Sequence, residues 1–166
     1  MRGLTAALFV LAAGCAGTTP APEPPLRPSA VLIVTIDTLR ADRVGIYGAK
    51  NVETPNIDRL AREGAWAPQA NVHVPMTRPS HASLFTGRYP VEHAIRDNIS
   101  QPLAPDVPVL AEAFHEAGYA TAAFVSSSVL DRQSGLSRGF DVYSDRFENG
   151  ADHFLYVAMH HRRVPV

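Results

Sequence analysis

The chain has 166 residues, enough for one domain with a real core. Hydrophobic residues make up 46% of it and charged residues 19%, which excludes an intrinsically disordered chain. The formal net charge is -1 and no stretch concentrates Lys and Arg, so nucleic acid is not a partner, and a single cysteine excludes an internal disulfide framework.

At the N-terminus, Arg2 precedes an apolar run from Leu4 to Ala13 that ends in Gly14-Cys15. The run is too short for a mature membrane span and reads as an export signal, residues 1–15. Small residues directly before the only cysteine resemble a bacterial lipobox, in which Cys15 is acylated. The plainer reading is a secretory signal with an accidental cysteine. Acylation implies an exported cell-envelope lipoprotein, on the periplasmic side or at the outer membrane, held to the membrane by its lipid anchor. Residues 16–30, rich in Pro, Thr and Ala, read as an extended tether.

The folded part begins at Val31. The run Val31–Ile36 (VLIVTI) is apolar and β-branched, the pattern of a strand buried on both faces. Thr54-Pro55 offers an N-cap followed by proline at the first helical position, with Ile57, Leu60 and Ala61 at helical spacing and Gly64 to close. A stretch from Ala65 to Val74 is read as a further strand. Pro79 opens a second helix to Thr86, stopped by Gly87. Val107, Leu110, Ala111, Phe114 and Ala117 define one face of a third, with Asp106 as N-cap and Gly118 as C-cap. Tyr119–Val125 (YATAAFV) reads as another buried strand. Strand, helix, helix, strand in this order predicts an α/β layered fold, a mainly parallel sheet flanked by helices, over residues 31–147. Residues 148–166 show no clear period and no completing element. His160 and His161 there read as part of a disordered end, although two adjacent histidines also suit a metal.

Two places carry chemistry. Asp37 follows a buried strand directly, where ions and ligands collect in open α/β sheets; it reads either as a metal ligand or as a turn aspartate. Thr77, Ser80 and His81 surround the start of the second helix, whose N–H groups form an anion site. Thr77 there either caps the helix or attacks an ester. Arg78, His81 and Arg88 add positive charge or proton-transfer groups nearby, so His81 is read with Thr77 as a catalytic candidate.

The blocks Val31–Gly48 (VLIVTIDTLRADRVGIYG), Thr54–Gly64 (TPNIDRLAREG) and Thr77–Pro90 (TRPSHASLFTGRYP) are together similar to the sulfatase family of the alkaline-phosphatase superfamily, in the same order. The resemblance implies a divalent-metal hydrolase of sulfate or phosphate esters, small-molecule or glycan, with calcium, zinc or manganese as the ion. It makes Asp37 the first metal-binding aspartate and Thr77 both nucleophile and metal neighbour. Ser80 matches the motif, and His81 stands where the motif has arginine. A second aspartate usually follows the first; here it is Thr38. Sulfatases proper have Cys or Ser at position 77, oxidised to formylglycine. Threonine is a secondary alcohol and would yield a ketone, so no formylglycine is expected, and an unmodified hydroxyl is left as the nucleophile. His93 and Asn98 lie in the segment that resembles the one downstream of the nucleophile, where they reach the anion or leaving group, or else face solvent. The family's Asp-His-Gly segment, which brings further metal ligands, does not occur. The chain therefore reads as the N-terminal part of such a hydrolase; the alternative is a catalytically inactive, truncated, lipid-anchored remnant.

Overall fold

The computed structural model describes residues 28–99, 101–147 and 154–161. The export signal with Cys15, and the tether up to residue 27, lie outside the described residues. The elements run in the order β1 (Ala30–Ile36), α1 (Pro55–Glu63), α2 (Thr77–Thr86), α3 (Pro90–His93), α4 (Leu110–Glu116), β2 (Tyr119–Val125), β3 (Val142–Ser144) and β4 (Phe154–His161), with short 3-10 turns after β1 and β2. The sheet order is β1-β4-β2-β3. β2 and β3 are parallel. β4 is antiparallel to both β1 and β2, so β1, β2 and β3 all run the same way.

The α/β class, with parallel strands and helices, is thus observed. The tail differs from the sequence expectation: residues 154–161 supply a strand that bonds on both sides. Phe154-Leu155-Tyr156-Val157-Ala158-Met159 is a continuous aromatic and aliphatic run, a strand signal without period. β4 also carries His160 and His161, which the sequence reading assigned to a disordered end.

The core lies between one sheet face and the helices. Ala82 and Phe85 of α2 meet Tyr119, Ala123 and Val125 of β2 together with Val107, Val109, Leu130 and Leu136. Val31 and Ile33 of β1 pack against this cluster. The alternate residues Leu32, Val34 and Ile36 are exposed, Leu32 at 66%. Val34 and Phe124 both pair with residue 156, so they share this outer face, which no described helix covers. β1 was expected to be buried on both faces; here one face is partly buried and the other exposed.

Local chemistry explains the boundaries. α1 starts after Thr54 with Pro55 at its first position and ends at Gly64, as its signals require. α2 begins two residues earlier than expected, at Thr77, because Pro79 is tolerated within the first turn, where its missing N–H has no helical partner. α4 begins only at Leu110: Pro108 keeps Val107 out of helical geometry, and Val109 is extended with its N–H donating to Glu112 Oε2 at 2.9 Å. Gly139 has φ +77, and a Cβ there would run into the backbone of Ala111 and Glu112, so this turn needs glycine. The strand expected in Ala65–Val74 is a loop. Its path is fixed by side chains: Trp66 packs edge-on against Tyr47 at 5.3 Å, and the Tyr47 hydroxyl donates to the Ala67 carbonyl at 2.7 Å.

Candidate active site

Asp37 directly follows β1 and Thr77 begins α2, forty residues apart in the chain. The fold brings the two side chains together: the Thr77 hydroxyl donates to Asp37 Oδ2 at 2.9 Å. They face a cavity of about 590 Å³, also lined by Thr35, Thr38, Ser80, His81 and Asn98. Its wall near Thr77 is apolar, with Leu39, Val72, Met76 and Leu84. Arg78 is buried, and neither it nor Arg88 lines the cavity.

His81, 8% exposed, lies behind Thr77. Its Nδ1 sits 2.7 Å from the Thr77 carbonyl oxygen and its Nε2 3.0 Å from the Thr35 hydroxyl. Burial pushes its pKa below the usual histidine value, against the opposing pull of the Thr77 carbonyl and the Asp37 charge. Both ring nitrogens are engaged within the protein, which differs from a histidine presenting a free N–H to an anion.

The helix N-terminus is also largely satisfied internally. The Arg78 N–H donates to Asn98 Oδ1 at 2.9 Å, Pro79 has no N–H, and the Ser80 N–H donates to the Met76 carbonyl at 3.1 Å. Asn98 therefore acts as a helix cap from a separate loop, and only its amide nitrogen is of a kind to meet an anion. The Ser80 side chain lines the cavity, half-buried.

His93 is not at the site. It is 1% exposed and does not line the cavity. Its Nδ1 accepts from the Ile95 N–H at 3.1 Å, so Nε2 carries the proton and donates to Ser83 Oγ at 3.0 Å. Burial lowers its pKa as well. The substrate role read from sequence gives way to a structural one, because the turn after α3 tucks the ring inward.

Thr38 occupies the position of the family's second aspartate. It has φ 56, a conformation costly for a β-branched residue and better tolerated by aspartate. A hard divalent cation needs about six oxygen ligands. Asp37 and Thr77 offer two, and the described residues contain no group of three His, Cys, Asp or Glu able to hold a metal. These residues alone do not make a complete metal site.

The residue that sequence reading missed is Thr35. Its signal was present: it is the one polar residue in Val31–Ile36, on the strand's inward-facing side.

The Thr77 hydroxyl at the head of α2, bonded to Asp37 just past the end of β1, opens on a cavity at the strand ends of an α/β fold, the place where ligands collect in such folds. The comparisons name the family. A profile described as Sulfatase matches residues 29–157, and the chain belongs to the sulfatase family. It is 36% identical over 124 residues to N-acetylgalactosamine-6-sulfatase of Canis lupus familiaris, covering 68% of this chain and 23% of that protein. It is 43% identical over 86 residues to steryl-sulfatase of Mus musculus, covering 52% of this chain and 13% of that protein. Among solved structures, a 2-O GAG sulfatase matches with TM-score 0.58 and 31% identity, over 70% of this chain and 25% of that one. The chain thus spans less than a quarter of the length of the curated relatives it matches.

Proposed function

We propose that this chain carries the nucleophile part of a sulfatase-type ester hydrolase, with unmodified Thr77 as the attacking group. The observation that supports it is the 2.9 Å bond from the Thr77 hydroxyl to Asp37, formed between distant elements inside a cavity. Thr77 Oγ1 bonds to the sulfur of the ester while its proton passes to Asp37 Oδ2. The bond from sulfur to the alcohol oxygen breaks, and the alcohol leaves with the electron pair and is protonated by water. Water then hydrolyses the Thr77 sulfate ester and restores the hydroxyl. An unmodified hydroxyl serves phosphorus esters by the same steps, so phosphate esters are expected to react at least as well. The apolar wall of Leu39, Val72, Met76 and Leu84 suits the ring or hydrocarbon part of an alcohol. A calcium, zinc or manganese ion, when bound, would supply charge beside the hydroxyl, with ligands beyond Asp37 and Thr77. On this reading the protein is exported and held to the cell envelope through lipidated Cys15.

A second reading, a lipid-anchored chain without turnover, is favoured by the incomplete set of metal ligands among the described residues. One experiment separates them. Aryl sulfate, aryl phosphate and phosphodiester substrates are assayed with each metal, using the chain alone and the chain fused to the remaining part of a sulfatase relative. The chain alone is expected to match its Thr77→Ala control. In the fusion, Thr77→Ala is expected to cost orders of magnitude and Thr77→Ser to keep part of the rate. A fusion in which Thr77→Ala retains near-normal activity refutes Thr77 as nucleophile.

A further inference from the structure

Thr77 is tied to β1 twice. Its hydroxyl donates to Asp37 at 2.9 Å, and its carbonyl is met by His81 Nδ1 at 2.7 Å, whose opposite nitrogen meets Thr35 at 3.0 Å. The chemistry of these groups fixes the protons. A carbonyl oxygen only accepts, so Nδ1 must carry hydrogen. In the neutral ring Nε2 is then a lone pair, and the Thr35 hydroxyl is the donor to it. The surroundings favour the neutral ring, since only 8% of the residue is exposed. Phe85 stacks on it at 6.4 Å and 18°, which limits rotation of the ring plane. Thr35 is half-buried and the one polar side chain in Val31–Ile36, and among the described residues His81 is the partner its hydroxyl meets.

We infer that Thr35 is a positioning residue for Thr77: the Thr77 carbonyl fixes the Nδ1–H tautomer of His81, the Thr35 hydroxyl anchors the ring from the other side at Nε2, and the ring so held keeps the Thr77 hydroxyl aimed at Asp37. His81 is then a neutral strut between β1 and the head of α2, and not a proton-transfer group. The catalytic meaning of the arrangement rests on Thr77 being the nucleophile; the tautomer and the strut do not. Hydroxyl and imidazole suffice here because each atom of the relay has one partner of the right kind. Valine at position 35 would keep the shape and remove the donor, leaving Nε2 a buried acceptor without a partner. The ring would then gain by turning Nε2 toward the cavity, which loosens the hold of Nδ1–H on the Thr77 carbonyl.

The test is long-range proton–nitrogen correlation spectroscopy on the chain with labelled histidine, near neutral pH. The expected wild-type spectrum shows His81 protonated at Nδ1 and not at Nε2. Thr35→Val should shift the His81 Nε2 resonance, by loss of the hydroxyl that donates to it, and with it the Thr77 amide and methyl signals. Thr35→Ser should keep the wild-type pattern. In a His81→Asn background, whose amide nitrogen takes the place of Nδ1, Thr35→Val should no longer move the Thr77 signals. Wild-type His81 protonated at Nε2 overturns the inference without any variant having to fold. So does a folded Thr35→Val protein with an unshifted His81 Nε2 resonance and unshifted Thr77. Loss of activity on Thr77→Ala in the fusion bears on the nucleophile alone, so the two ideas fail separately.

Discussion

Mild acid should destabilise this fold through two buried histidines, and His93 should carry the larger share. Both have pKa values pushed by burial below the ordinary 6.5. An unfolded chain takes up protons at these rings as pH falls through 6.5, while the folded chain resists, so stability is present above that pH and is lost below it. A histidine that stays neutral in the native state costs about 1.4 kcal/mol of stability between about pH 7.5 and pH 5.5. Two such rings set an upper bound of about 2.8 kcal/mol. They are not equivalent. Protonating His81 asks only that the Thr35 hydroxyl turn from donor to acceptor, and Asp37 lies near to favour the cation. Protonating His93 would set two N–H groups against each other, because its Nδ1 already accepts from the Ile95 N–H. A loss of about 2 kcal/mol is therefore expected, most of it from His93. Urea unfolding followed by far-ultraviolet circular dichroism at the two pH values measures it. His93→Asn keeps an acceptor near the Nδ1 position and removes the titration, so its loss should fall by about 1.4 kcal/mol. Asp145, held down at about 2 by Arg132, titrates too low to confuse the window. A wild-type loss under about 0.5 kcal/mol, or a His93→Asn loss equal to that of the wild type, refutes the reasoning.

Ala94 has φ 63 at the end of α3, so Ala94→Gly should stabilise the chain by about 1 kcal/mol in the same urea assay; no change or a loss would show that the strain is relieved elsewhere. Thr38→Asp places a carboxylate beside Asp37 in a conformation aspartate tolerates, so calcium or manganese should raise its melting temperature more than the wild type's; equal shifts would count against Asp37 as part of a metal shell. Labelled palmitate should enter the exported protein and not its Cys15→Ser variant, and equal labelling would remove the lipid anchor.

The parts of the fold legible in the sequence were those specified locally. Tyr119–Val125 appears as a strand with the predicted ends, and α1 runs from Pro55 to its Gly64 stop, because caps, proline and a continuous apolar run act within a few residues. The start of α4 was misplaced because Pro108 overrides an apolar face that begins at Val107, and both Val107 and Val109 are buried without being helical. β4 was missed for a different reason. An apolar run with no period is ambiguous until a partner is known, and its partners are strands far away in sequence. Ala65–Val74 failed in the opposite sense: strand-forming residues such as Val72 and Val74 pair with no strand, and aromatic contacts from Tyr47 and Tyr89 hold a loop instead.

The placement of Asp37 just past β1 and of Thr77 at the head of α2 was legible because each sits at the end of an element whose direction the sequence sets. What the sequence does not show is how the helix head is satisfied. Asn98 and the Met76 carbonyl take the N–H groups that a motif alone would assign to an anion. That changes how positions 38, 77 and 81 are understood, the three places where this chain departs from the family pattern. All three line one cavity, and each departure replaces an acidic, modifiable or cationic group by a neutral one. An arginine at 81 would bring fixed positive charge to an ester anion. The histidine is neutral and turned toward β1 instead, with Thr35 as its partner. Charge stabilisation at this cavity then has to come from groups other than the backbone N–H groups of that first turn, and the Asn98 amide and the Thr38 and Ser80 hydroxyls are polar donors that line it. Positions 35 and 81 are accordingly best read as one unit, since the Thr35 hydroxyl and His81 Nε2 partner each other at 3.0 Å across the gap between β1 and α2.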